Sequence, residues 1–383
     1  MSNLYQRVVI KLGTSTLTAR TSRLSAPRLV DLTRQVAELH ASGCEVVLVS
    51  SGAIAAGKEV LAGRQAGPGS SGGMVSPGAA RDVPAKQMLA AIGQPRLMAL
   101  YEQIFGLYGL MAGQVLLTRA DLADRKRYLN SRNTLRALLS QRVIPIVNEN
   151  DTVATEEIRV GDNDNLSAMV SNLVDADLLV LLTDQAGLFS ADPRQDPQAR
   201  LIEVVAEANI PEVVWAAAGG SAGGLGTGGM LTKLQAADLA RRSGARVVIA
   251  QGSEENVVLR LVQGEQLGTA FLPVNTPTHS RKRYILTGGG ASGRLSVDDG
   301  AAQALRSGSS LLPVGVKAVE GRFERGDTVR VFDLSGKELA RGLANYATSD
   351  LRRIAGARSD LIESLLGYDY GEEVIHRDNL VML

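Results

Sequence analysis

Six short runs of apolar, largely β-branched residues recur through the first two-thirds of the chain, at residues 7–11, 45–50, 113–118, 143–148, 177–183 and 245–250. They are nearly continuous in apolar character rather than alternating, which predicts strands covered on both faces. Between them apolar positions recur at helical spacing over 27–42, 85–108, 124–141, 164–175 and 231–243. Repeated βα units predict an α/β fold, a three-layer α/β/α sandwich around a mainly parallel sheet. Ligands of such sheets sit outside the carboxyl ends of the strands, so the polar residues after each run are where chemistry is expected.

Two segments interrupt the pattern. Residues 62–84 are rich in glycine, proline and serine and read as a mobile surface insertion, because they offer little apolar surface to offset their ordering entropy. Around 270–284 two prolines and the basic cluster Arg281, Lys282 and Arg283 mark a domain boundary, giving expected domains at 1–272 and 276–383. Beyond it, short alternating strands with glycine turns over 310–346 predict a small β-barrel-like module.

Charge and composition narrow the function classes. Lysine plus arginine number 41 against 40 aspartates and glutamates, so no global field points to nucleic acid or an anionic membrane. Residues 281–383 are equally balanced, with 15 basic against 14 acidic side chains, which is not the footprint of an RNA-binding domain. No apolar run is long enough to span a membrane, and the opening residues lack the features of a secretory signal. The lone cysteine, Cys44, excludes an internal disulfide framework and fits a reducing compartment, so a cytoplasmic protein is expected.

Candidate chemistry clusters at the strand ends. In "VVIKLGTSTL" (8–17), Lys11 ends a buried run and is followed by glycine and hydroxyl residues, the makings of an anion site or simply of a strand ended by a solvated lysine. In "VSSGAIAAG" (49–57), Ser50 and Ser51 precede a helix start and either bind a ligand or cap that helix. The stretch 148–168, "NENDTVATEEIRVGDNDNLSA", is dense in carboxylates and asparagines, suited to loops and caps, to a hard metal ion, or to a polar ligand. Its spacing excludes an EF-hand. Thr183 and Asp184 directly follow a strand and could grip a nucleotide. "GLGTGGMLTK" (224–233) mimics a dinucleotide fingerprint but lacks the preceding strand, and its Thr232-Lys233 order is not that of a P-loop. What remains is a glycine loop that places Lys233 in the first turn of a helix, where the helix dipole disfavours a cation unless an anion lies nearby.

Together these motifs resemble the amino acid kinase family: "KLGTS", "SSGAIAAG", "LLTRAD", "NENDTVAT", "VGDNDNLSA", "LLTDQAGLFSADP" and "GLGTGGMLTKLQAAD" follow in the family's order across nearly the whole chain. The C-terminal segment, with "GSSLLPVGVKAV" and "RRIAG", is similar to a PUA domain. The resemblance is strongest to members that phosphorylate the side-chain carboxylate of L-glutamate at the expense of ATP, giving L-glutamyl 5-phosphate for proline biosynthesis. It implies that Lys11 and Lys233 contact the transferring phosphoryl group and that Asp164 orients them. It implies glutamate contacts from Ser51, Asp151 and Asn163, and ATP contacts from Lys11, Thr183, Asp184, Thr227, Gly228, Gly229, Met230, Leu231, Thr232 and Lys233. Mg²⁺ would accompany ATP. The resemblance further implies a homo-oligomer (dimer or tetramer), proline as feedback inhibitor and handover of product to a glutamyl phosphate reductase. Two departures from the family pattern are the 62–84 insertion and Arg159, where some relatives carry lysine. The rivals are family members acting on acetylglutamate, aspartate, carbamate or UMP, and an RNA-binding role for the PUA-like segment.

Overall fold

The computed structural model describes residues 3–65, 82–154, 163–193, 195–219, 229–274 and 293–383. By internal contacts the chain forms one unit of Met1–Leu122 with Ser131–Thr276 and a second of Ala123–Asn130 with Pro277–Leu383.

The strands up to residue 274 are β1 (Arg7–Leu12), β2 (Glu45–Ser50), β3 (Ala112–Leu117), β4 (Ile144–Glu149), β5 (Leu178–Thr183), β6 (Val204–Val205), β7 (Arg246–Gln251) and β8 (Thr269–Phe271). They form one eight-stranded sheet in the order β3-β4-β2-β1-β5-β7-β8-β6. All neighbours run parallel except β7 and β8. The helices of this stretch are α1 (Thr14–Leu17), α2 (Ala26–Ala41), α3 (Ala53–Gln65), α4 (Val83–Gly106), α5 (Arg119–Ala123), α6 (Arg125–Ser140), α7 (Asn163–Val174), α8 (Glu212–Ala217), α9 (Met230–Arg242) and α10 (Val257–Val262).

Strand β1 is the hub, with Lys11 in register with Val49 on one side and Leu181 on the other. Its Val8, Val9 and Ile10 are wholly buried, as are Val47, Val49 and Leu178 to Leu182 on the flanking strands. Each such side chain contributes roughly 1.5–3 kcal/mol by leaving water, which makes the centre of the sheet rigid enough to fix the groups at its carboxyl edge. Helix α2 begins where Ser25 accepts a hydrogen bond from the Arg28 N–H, with Pro27 in its first turn.

Helices α3 and α4 approach so closely that glycine is required at the crossing. A Cβ on Gly93 would lie 1.8 Å from the Ala53 carbonyl oxygen and 2.3 Å from the Gly57 nitrogen, and a Cβ on Gly57 would lie 2.0 Å from the Leu89 carbonyl oxygen. These neighbours are backbone atoms and cannot rotate away. Gly93→Ala is therefore expected to lower stability at the upper end of the roughly 1–3 kcal/mol typical of overpacking. A urea denaturation midpoint indistinguishable from wild type would refute that account of the contact.

The apolar runs became β1 to β5 and β7, with ends within one residue of those expected. The insertion is shorter than its composition suggests, because residues 62–65 finish α3 and 83–84 start α4. Its middle, 66–81, lies outside the described residues, as do Arg159 and the basic cluster 281–283.

The second unit has its own sheet, β9 (Gly293–Val297), β10 (Val316–Gly321), β11 (Thr328–Phe332), β12 (Glu338–Leu343) and β13 (Leu380–Met382), in the order β10-β9-β11-β12-β13. Helices α11 (Asp299–Arg306), α12 (Thr348–Ile354) and α13 (Ile362–Leu366) accompany it. A separate core of Leu295, Val297, Val329, Val331, Tyr346 and Ile354 holds it, and Leu129 packs with Leu343 and Val381. Tyr346 is buried yet satisfied, its hydroxyl donating to the Gly371 carbonyl at 2.6 Å. No helix among the described residues is long and apolar enough to cross a membrane.

Candidate active site

The carboxyl ends of β1, β4 and β5 meet the amino-terminal turns of α7 and α9, and this is where the charged residues converge. Lys11, near the end of β1, places Nζ 2.6 Å from Asp164 Oδ1. Lys233, in the first turns of α9, places Nζ 3.1 Å from Oδ2 of the same carboxylate. Thr232 donates its hydroxyl to Oδ2 at 2.7 Å. One carboxylate thus holds two ammonium groups apart, one on each oxygen. Lys11 and Asp164 are only 5% and 2% exposed, so this interaction operates in a low-dielectric setting.

Burial pushes the Asp164 carboxyl up, but Lys11, Lys233 and the Thr232 hydroxyl overcome it and hold the group down at about 2. For Lys11 burial pulls the ammonium down and Lys233 adds to this, while Asp164 opposes both. The two partners thus pull in different senses on the same pair. At 2.6 Å from an ionised carboxylate, Lys11 is assigned as the ammonium.

Beside this triad lies a chain of polar side chains. Asn163, the first residue of α7, donates from Nδ2 to Ser51 Oγ at 2.9 Å and to Asn148 Oδ1 at 3.1 Å. Asn148, on β4, donates from Nδ2 to Gln94 Oε1 on α4 at 2.8 Å. Ser51 is therefore tied to Asn163, while the neighbouring Ser50 bonds Tyr101 instead and points away from the site. Asp151, just past β4, has no hydrogen bond or ion pair among the described residues, and burial pushes its carboxyl up to about 6. A half-buried carboxylate without a counter-charge suits a cationic ligand.

A cleft of about 470 Å³ opens next to Lys233, lined among others by Ser15, Thr183, Asp184, Gly229 and Met230. Thr183 donates its hydroxyl to Asp184 Oδ1 at 3.2 Å, and Arg20 donates to the Asp184 carbonyl at 2.7 Å. Of the glycine-loop residues, Gly229, Met230 and Lys233 face the cleft, whereas the Leu231 side chain is buried in the core and Thr232 turns to Asp164. Those two would reach a phosphate only through backbone N–H groups. Thr227 and Gly228 lie outside the described residues. A larger cleft of about 540 Å³, lined by Arg7, Glu45 and Asp177, sits at the opposite ends of the strands, away from the lysine pair. The smaller cleft is the better candidate because charged groups converge on its edge.

Among the described residues no group of three or more histidine, cysteine, aspartate or glutamate side chains is placed to hold a metal ion.

Of the residues singled out in the sequence, the structure brings Lys11 and Lys233 onto Asp164 and sets Ser51 against Asn163. It passed over Gln94, a glutamine between Gly93 and Pro95 in a helix, and did not single out Asn148 within its motif.

Residues 6–251 match the amino acid kinase family and residues 293–366 match the PUA domain. Over 378 residues the chain is 55% identical to a glutamate 5-kinase of Deinococcus radiodurans, covering 98% of this chain and 100% of that one. A glutamate 5-kinase of Shewanella amazonensis is 54% identical over 380 residues, with 99% and 96% of the two chains covered. One from Herpetosiphon aurantiacus is 53% identical over 380 residues, with 99% of each chain covered. The chain therefore belongs to the amino acid kinase family and groups with its glutamate 5-kinases, with a PUA domain at its C-terminal end.

Proposed function

We propose that this protein transfers the γ-phosphoryl group of MgATP to the side-chain carboxylate of L-glutamate, forming L-glutamyl 5-phosphate and ADP, the first step of proline biosynthesis. The observation that carries the reading is the pair of lysines clamped on Asp164, with a nucleotide-sized cleft beside Lys233 and a hydrogen-bonded chain of amides beside Asp164. The acceptor carboxylate has a reference pKa near 4.3 and is already ionised at neutral pH, so no general base is needed. One of its oxygens attacks the γ-phosphorus while the bond to the β-phosphate oxygen breaks and ADP leaves. The obstacle is charge, an anion approaching a polyanion. Lys11 and Lys233 meet it by neutralising the phosphoryl oxygens, with Mg²⁺ neutralising the triphosphate when MgATP binds.

Asp151 favours a free amino acid, glutamate or aspartate, over the other rivals. Acetylglutamate, carbamate and UMP carry no ammonium group to satisfy a desolvated carboxylate, whereas glutamate and aspartate do. Hydroxylamine traps acyl phosphates, so glutamate- and MgATP-dependent hydroxamate formation is the direct test. Faster turnover of aspartate or acetylglutamate in the same assay would overturn the substrate assignment.

Asp151 also sets a pH dependence. Its carboxyl sits near 6, so it is largely ionised at pH 7 and takes up a proton as pH falls below 6. With the substrate's own side-chain carboxylate titrating lower, the apparent KM for glutamate is expected to rise toward about tenfold per pH unit on the acid side. Asp151→Asn should raise KM at neutral pH and flatten that slope. A wild-type KM that stays constant from pH 7 to pH 5 would remove Asp151 from ammonium binding.

The remaining parts of this reading follow from likeness to the family. An acyl phosphate hydrolyses readily, which calls for a reductase to consume it. Proline is the inferred feedback inhibitor and a homodimer or homotetramer the inferred assembly. The inferred compartment is the cytoplasm, where Cys44 stays a thiol. Burial pushes that thiol up to about 12, so it is a packing residue and not a reactive one.

A further inference from the structure

We propose that Gln94 is a specificity residue of the acceptor site, presenting a fixed N–H donor to the α-carboxylate of the substrate while Asn163 presents a fixed acceptor to its α-ammonium group. The inference rests on the glutamate reading and deepens it.

A single backbone group fixes the orientation of all three amides. The Glu149 N–H donates to the Asn148 side chain at 2.9 Å, so the atom it meets must be the oxygen, Oδ1. That oxygen also lies 3.1 Å from Asn163, whose facing atom must then be the nitrogen, Nδ2. The other end of Asn148 is a donor, so the Gln94 atom 2.8 Å from it must be the oxygen, Oε1. No amide in the chain can flip without placing two donors or two acceptors face to face.

The consequence lies at the two ends. Gln94 Nε2 and Asn163 Oδ1 are both buried, and neither has a hydrogen-bond partner among the described residues. One is an obligate donor and the other an obligate acceptor. Buried polar atoms in folded proteins are nearly always paired, so a ligand with complementary groups is called for. Once the side-chain carboxylate of glutamate is turned toward Lys11 and Lys233, its unused groups are one acceptor, the α-carboxylate, and one donor, the α-ammonium. They match the orphaned pair in type and number. The packing supports the placement, because Gly93 admits the tight α3–α4 approach and Gln94 follows it directly. Asp151 then supplies the counter-charge, and the amides supply direction.

The test compares glutamate with its α-carboxamide, which keeps the side-chain carboxylate and the ammonium, on the full-length wild type, Gln94→Glu and Gln94→Met. Wild type is expected to favour glutamate clearly. Gln94→Glu should raise KM for glutamate by about ten- to a hundredfold, as for loss of a hydrogen bond to a charged group. KM for MgATP should not move. The same variant should lose less on the α-carboxamide, since the introduced carboxylate repels the substrate carboxylate but accepts from an amide N–H. Gln94→Met should weaken glutamate binding without that preference for the amide.

An unchanged KM for glutamate in both variants would overturn the inference, as would equal losses on the two substrates in Gln94→Glu or a matching rise in KM for MgATP. So would a wild type that does not distinguish glutamate from the α-carboxamide, a result that needs no variant to fold. A wild type inert toward glutamate would overturn the functional reading and this inference together. An active wild type with insensitive Gln94 variants would overturn this inference alone.

Discussion

Lys11→Ala and Lys233→Ala are each expected to lower kcat by about 10²-fold or more, the effect of removing one preorganised donor to a developing charge. The reason lies in how the two ammonium groups are held. They sit on opposite oxygens of one buried carboxylate, at 2.6 and 3.1 Å, so neither has to be desolvated or reoriented when the phosphoryl group arrives. Preorganisation of this kind acts most strongly in the transition state and only weakly on ground-state binding, so kcat should fall further than KM rises. The two variants differ in their structural cost. Lys11 is embedded between β2 and β5 and its loss leaves a cavity in the sheet edge, whereas Lys233 lies at a helix start on the rim of the cleft. Lys233→Ala is therefore the cleaner kinetic probe. Steady-state turnover by ADP release with glutamate and MgATP both saturating is the measurement, and near wild-type turnover in Lys233→Ala would remove it from the mechanism.

The sheet was legible because its strands are buried on both faces, and such burial writes itself as unbroken β-branched runs such as "RVVIK" and "DLLVLLT". The short β6 and β8 carry no such signal. Val204–Val205 and Thr269–Phe271 are too brief for periodicity, and the antiparallel β7–β8 pairing is decided by tertiary contacts. The charged part of the site was legible for a different reason. A lysine at the end of a buried strand, or in the first turn of a helix, contradicts the local preference and signals a partner. Gln94 gave no such contradiction. A glutamine is an ordinary helix residue, and only its hydrogen bond to Asn148 and the burial of its Nε2 atom, next to the Gly57 and Gly93 crossing, support the role proposed for it. Side chains oriented by a network are invisible to a linear reading, because the orienting atom, here the Glu149 N–H, belongs to the backbone.

Asp164→Asn is expected to separate the two jobs of that carboxylate, holding the fold and aiming the lysines. In the free protein the substitution leaves the buried Lys11 without its counter-charge and beside a second ammonium. Breaking a buried ion pair from one side costs roughly 3–5 kcal/mol, so thermal or urea unfolding should show a large loss of stability. In the complex the balance changes. On the proposed placement of the triphosphate against Lys11 and Lys233, Asp164 is an anion close to it, and its removal takes away one repulsion while leaving two cations in need of a partner. MgATP should therefore bind at least as tightly as to wild type and should restore more stability to the variant than it adds to wild type. Turnover should nevertheless fall by about 10²-fold or more, because ammonium groups no longer held on two fixed oxygens must reorganise during transfer. A lower kcat with an unchanged or lower KM for MgATP is the expected signature. If KM for MgATP instead rose tenfold with kcat preserved, Asp164 would belong to nucleotide or metal binding and not to the positioning of Lys11 and Lys233.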